Sequence, residues 1–191
     1  MKRLILMGEI GAGKSTLIRN ALGAGAARAG GFVTRRVLKN GRLQGFELAP
    51  ARIWSDPNLP AHRFLDFSRG KRRDDSVFSG PGAALLAEAL HAPFAVADEF
   101  GGLELLVPEF YEGLVKLLSS DVPTIGVFKT PGAVQALSEQ IPLGDDYVRK
   151  ADALRNLLEA DPETTLLPIT GWDDNHAIET VRRWTEIHGR R

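Results

Sequence analysis

Residues 8 to 16 read G-E-I-G-A-G-K-S-T. Gly8, Gly13, Lys14 and Ser15 fall in the spacing G-x-x-x-x-G-K-[ST], which cradles phosphate oxygens in backbone N–H groups when a strand leads in and a helix leads out. Both flanks are present. Leu4 to Met7 is a short apolar run stopped by Gly8, and Ser15 to Leu22, S-T-L-I-R-N-A-L, reads as a helix. The segment Gly8, Glu9, Ile10, Gly11, Ala12, Gly13, Lys14, Ser15 and Thr16 is therefore expected to bind nucleotide. Lys14 would reach the β and γ phosphates as a point charge, Ser15 would set its hydroxyl on Mg²⁺, and Thr16 would start the helix. The implied ligand is ATP, GTP or another nucleoside triphosphate, or a diphosphate, with magnesium.

A second chemical element is Val96-Ala97-Asp98-Glu99, an apolar run ending in two acids. Ligands in open α/β sheets collect beyond the carboxyl ends of the strands, so a carboxylate capping a strand next to the first would lie near the metal. Asp98 is the expected partner of Mg²⁺, together with Ser15. Glu99 is placed to orient or deprotonate the water that attacks the γ phosphate, which makes Lys14 and Glu99 the candidate catalytic residues.

The elements that must position these groups follow from apolar patterning. Gly31 to Arg36 and Gly45 to Leu48 flank K-N-G-R at 39 to 42, and Asn40-Gly41 suits a type I′ hairpin turn. Residues 54 to 60 read as a loop, and Arg69 to Asp75, R-G-K-R-R-D-D, as an exposed charged loop. Gly82 to His91 has helical composition and leads into the strand Pro93 to Asp98. Pro108 suits the first turn of a helix that gathers Phe110, Leu114, Leu117 and Leu118 on one face. Val122 to Phe128 and Thr164 to Ile169 are further strands, and Ala133 to Gln140 and Ala151 to Leu158 further helices. His176 to His188 closes the chain as an amphipathic helix expected to bury Ile178, Val181, Trp184 and Ile187.

Four apolar strands alternating with helices predict an α/β chain. The expected architecture is a three-layer P-loop NTPase fold with a mostly parallel central sheet and an inserted antiparallel hairpin. At 191 residues the chain suits a single domain spanning 1–191, with the hairpin around 31–49 and the charged loop around 69–75. Lys plus Arg number 24 and Asp plus Glu 24, so no net charge drives attraction to nucleic acid or an anionic membrane. Cysteine is absent, which excludes disulfides, thiolate metal sites and thiol nucleophiles. No apolar run approaches the roughly 20 residues that span a bilayer. A cytoplasmic protein is expected, with a nucleoside triphosphate as its partner and neither nucleic acid nor membrane bound.

Three segments together resemble a known group. Gly8 to Thr16, the G-F-V-T of Gly31 to Thr34 followed by the G-R-L-Q-G-F of Gly41 to Phe46, and the D-E-F-G-G-L-E-L of Asp98 to Leu105 are similar to segments of the thermostable-type, or cancer-related, nucleoside-triphosphatase family. The resemblance spans most of residues 1 to 118. It implies Mg²⁺-dependent hydrolysis of nucleoside triphosphates with little choice among bases, Lys14 and Ser15 at phosphates and metal, Asp98 at the metal, and Glu99 as catalytic base. The chain departs from the family pattern at Arg35-Arg36, where an acidic or polar residue is usual, and at Gly102, where a basic one is common.

Both departures bear on how charge is balanced around the phosphates, for which Arg28, Arg35, Arg36, Arg72 and Arg73 are all candidates. Glu104 is either a hydrogen-bond acceptor behind the site or a helix-start carboxylate. His62, His91, His176 and His188 are scattered with no metal-binding spacing. Trp172 with Asp173-Asp174-Asn175 lies just beyond a strand and either borders the base or caps the next helix. Two other functions remain open: a kinase passing the γ phosphate to a small acceptor, with residues 69 to 73 as a lid, and a nucleotide-dependent switch. Phe128-Lys129-Thr130-Pro131 stands where a guanine switch would carry N-K-x-D.

Overall fold

The computed structural model describes residues 1–68, 70–129, 134 and 144–189. One eight-stranded sheet organises the chain: β1 (Arg3–Met7), β2 (Ala29–Lys39), β3 (Arg42–Pro50), β4 (His62–Asp66), β5 (Arg72–Arg73), β6 (Phe94–Phe100), β7 (Thr124–Phe128) and β8 (Thr164–Pro168). Their spatial order is β5-β4-β3-β2-β6-β7-β1-β8. The run from β2 to β8 is parallel, whereas β2, β3, β4 and β5 pair antiparallel.

Alternation along β1 sorts the core into two layers. Ile5 faces one side, with Ala95, Ala97, Leu86, Phe110, Leu114 and Leu154; Leu4 and Leu6 face the other, with Ile18, Val96, Val127, Val181 and Trp184. The first layer is closed by α2 (Ala83–Ala89), α3 (Pro108–Leu118) and α4 (Asp145–Ala160). The second is closed by α1 (Lys14–Leu22) and α5 (Asn175–His188). Because both faces are covered, the central strands read as continuous apolar runs rather than alternating ones. The result is a three-layer α/β fold with a mixed, mostly parallel sheet.

Four expectations need correction. The strand carrying Asp98 is not beside β1, because β7 lies between β6 and β1. The hairpin expected around 31–49 is not a separate insertion, because its first strand begins in the core sheet. Ala29 to Phe32 of β2 pair parallel with β6 inside the core, and only the rest of β2 runs out with β3 around Asn40 and Gly41, at φ 53 and 74. The charged stretch around 69–75 contains β5, whose Arg72 and Arg73 pair with Asp66 and Leu65 of β4. In α5, Val181 and Trp184 are buried as expected, but Ile178 and Ile187 are exposed, and Ala177 and Thr185 fill the buried face instead. The helix expected at Ala133 to Gln140 lies, apart from Val134, outside the described residues.

Candidate functional site

The glycine-rich loop connects β1 to α1 at the carboxyl end of the sheet. Gly8 has φ 146, and a Cβ there would meet the Ile169 carbonyl oxygen at 2.4 Å, so only glycine lets the loop leave β1 this close to the chain after β8. Lys14 turns back over the loop, its Nζ donating to the carbonyls of Gly8 at 2.8 Å and Glu9 at 2.6 Å. Burial lowers the Lys14 ammonium below the ordinary lysine range, partly offset by Glu99, Asp98 and Glu9. Gly8, Ile10, Gly11, Gly13, Lys14, Ser15 and Thr16 line a cleft of about 420 Å³. Ala12 packs instead against the second core layer.

Ser15 Oγ donates to Asp98 Oδ1 at 2.7 Å, joining the start of α1 to β6 across the intervening β7. Asp98 is 1% exposed. Burial pushes its carboxyl up to about 7, with Glu99 adding to the rise and Ser15, Lys129 and Lys14 opposing it.

Asp98 is buried against Ser15, whereas its neighbour Glu99 lines the cleft. Between them β6 is bulged. Ala97 pairs with Gly126 and Phe100 with Phe128, so two residues of β6 oppose the single Val127 of β7. Ala97 and Phe100 consequently pack in the same core layer. Glu99 absorbs the extra residue in a left-handed conformation at φ 62 and lines the cleft.

Behind the bulge the chain is tied down. Glu104, 6% exposed, accepts from the Gly102 backbone N–H at 2.6 Å and lies 3.7 Å from Lys129 Nζ. The buried Tyr147 hydroxyl donates to the Gly101 carbonyl at 2.8 Å, and burial raises its phenol above the ordinary range. Arg73 donates to the Leu103 carbonyl at 2.8 Å.

Of the candidate arginines only Arg36 lines the cleft, from the hairpin side, beside Phe46 and Phe64. Arg28 instead donates to the Gly189 carbonyl at 2.7 Å, and Arg35 and Arg72 are exposed. Lys129, at the end of β7, lines the cleft beside Glu99 and was not among the residues read as functional. The available signal was a lone cation directly after an apolar strand.

Among the described residues no three His, Cys, Asp or Glu side chains gather as a metal site. Magnesium seldom needs one, since it keeps several waters and binds through one or two protein oxygens plus substrate phosphates. The Ser15 hydroxyl beside the buried Asp98 carboxylate is a donor set of that kind.

The pKa of Asp98 carries a prediction for the nucleotide-free protein. Its folded carboxyl titrates near 7 and the unfolded one near 3.8, so the bound proton favours the fold fully below about pH 4, and that contribution is lost as pH rises through 7. Asp98→Asn stays neutral throughout. It is expected to be more stable than the parent at pH 8 by on the order of 4 kcal/mol, and equal to it near pH 4. Urea unfolding without divalent cations measures this; a stability difference independent of pH would disprove the buried ionisation.

A three-layer α/β fold with a glycine-rich loop at the end of β1 and an acid-capped β6 matches the P-loop NTPase architecture. The family model described as NTPase matches residues 3–148, and the chain belongs to that family. The fold is similar to the crystal structure of THEP1 from the hyperthermophile Aquifex aeolicus, with TM-score 0.65 and 18% identity over 94% of this chain and 96% of that one. It is equally similar to the solution structure of a human cancer-related nucleoside triphosphatase, with TM-score 0.65 and 21% identity over 100% of both chains. No curated protein matches the sequence. Among the described residues no helix is long and apolar enough to cross a membrane.

Proposed function

We propose that this chain hydrolyses nucleoside 5′-triphosphates to the diphosphate and phosphate, with Mg²⁺ and little selectivity for the base, as a member of the thermostable-type group. The observation that carries this reading is the pair of acids at the bulged end of β6: Asp98 accepts from Ser15, and Glu99 lines the cleft that Lys14 also lines. Gly8 to Thr16 hold the phosphates, and Lys14 neutralises the β and γ oxygens. Ser15 and Asp98 hold the metal. Bound there, Mg²⁺ supplies charge neutralisation of the phosphates. Glu99, half-buried in the cleft wall, accepts a proton from the attacking water and orients it. Lys129 lines the same cleft and balances charge on the γ phosphate, its ammonium held 3.7 Å from the Glu104 carboxylate.

Phosphate release from ATP, GTP, CTP and UTP with Mg²⁺ and no acceptor tests the reading. Turnover of several bases is expected, and Lys14→Ala should abolish it. Tight nucleotide binding without release would end the hydrolase reading.

One observation favours a second reading, a kinase. Across the cleft from the loop stand Arg36, Phe46 and Phe64, with the two rings 6.3 Å apart and 27° from parallel. Such a wall suits a planar, anionic acceptor. In that case adding acceptors speeds ADP formation and places the γ phosphate on the acceptor rather than in free phosphate.

A further inference from the structure

Trp172 is 81% exposed, whereas Trp184 is fully buried. A large indole left in water is an anomaly that a folded chain does not require for its core. Nor is this indole on a loose tail. Thr170 and Asp174 close the turn around it, with Thr170 Oγ1 donating to Asp174 Oδ2 at 3.3 Å and the Ala177 N–H donating to Asp174 Oδ1 at 3.0 Å. The same turn is registered against the phosphate loop, because the Ile169 N–H donates to the Met7 carbonyl at 2.7 Å. A Cβ on Gly13 would come within 3.2 Å of Trp172 Cβ. The root of the Trp172 side chain therefore stands against Gly13 of the loop, and its ring is left to solvent.

Direction decides what it meets. Glu99 and Lys129 cap β6 and β7, so the γ end of a triphosphate points to that side of β1. The loop carrying Trp172 follows β8, on the opposite side of β1. A phosphate chain drawn toward Glu99 leaves its nucleoside toward β8.

We propose that Trp172 is the platform on which the nucleobase of the bound nucleotide stacks, a proposal that rests on the reading of residues 8 to 16 as a nucleotide loop. Every base offers a π face, so a lone indole selects for a base without choosing among bases. This supplies a physical source for low base specificity.

Calorimetric titration with ADP, CDP and inorganic pyrophosphate, each with Mg²⁺, tests it without turnover. Trp172→Ala is expected to weaken ADP and CDP alike by about 10-fold and to leave pyrophosphate unchanged, while Trp172→Phe keeps most of the affinity. In the parent, ADP but not pyrophosphate should quench indole emission, and the quench should vanish in Trp172→Phe although Trp54 and Trp184 remain. Parental ADP affinity in Trp172→Ala overturns the stacking proposal while leaving the nucleotide loop intact. A parent that binds neither ADP nor pyrophosphate overturns both.

Discussion

Glu99→Gln is expected to release phosphate about 100- to 10,000-fold more slowly than the parent while binding ADP as well, because a general base contributes about that much and the amide cannot take the proton. The same residue gives a second readout. A side chain at φ 62 costs about 1 kcal/mol or more, and the bulge imposes that cost to aim the carboxylate. Glu99→Gly relieves the strain and removes the base together. It should raise the unfolding midpoint while showing the same loss of turnover, the pattern of a site that trades stability for activity. Phosphate release at the parental rate in Glu99→Gln would remove Glu99 from the chemistry. A glycine variant less stable than the parent would show that the conformation carries no strain.

Lys129→Ala is expected to lower kcat by about 100-fold with little change in ADP affinity, the effect of deleting one group aimed at charge that develops in the transition state. Its ammonium lies 3.7 Å from the buried Glu104 carboxylate, which is otherwise held by the Gly102 N–H. Removing the cation therefore also leaves a buried acid short of a partner, and the variant should unfold more easily. Glu104→Gln separates the two effects: it retains the cation but loosens its hold, so kcat should fall less than in Lys129→Ala. Arg36→Ala is the contrasting variant, because its side chain stands exposed on the hairpin and is screened by solvent. If Arg36→Ala loses turnover and Lys129→Ala does not, charge balance comes from the hairpin instead.

The glycine-rich loop between β1 and α1 was legible because its glycines, lysine and serine lie in one continuous segment with a strand and a helix on either side. Asp98 and Glu99 were legible as acids at a strand end, but the bulge that leaves Asp98 buried on Ser15 and Glu99 on the cleft was not. Nothing in D-E-F announces a positive φ at a glutamate, a conformation that tertiary packing imposes. The order of strands was equally hidden, since the insertion of β7 between β1 and β6 is a pairing between segments far apart in the chain. Lys129 went unread for that reason: its place beside Glu99 depends on where β7 lies. β5 escaped because two residues carry no periodicity, and Ile178 and Ile187 show that an apolar spacing close to 3.6 does not settle which residues are covered.

A protein with equal numbers of acids and bases has little colloidal repulsion to keep its copies apart, so its sheet must discourage strand addition by other means. Both borders of this sheet do so. At one, β5 offers only Arg72 and Arg73 to an incoming chain, too short and too charged a template to extend. At the other, β8 ends after five residues at Pro168, which has no N–H to donate. The extension that walls the cleft thus also terminates the sheet against aggregation.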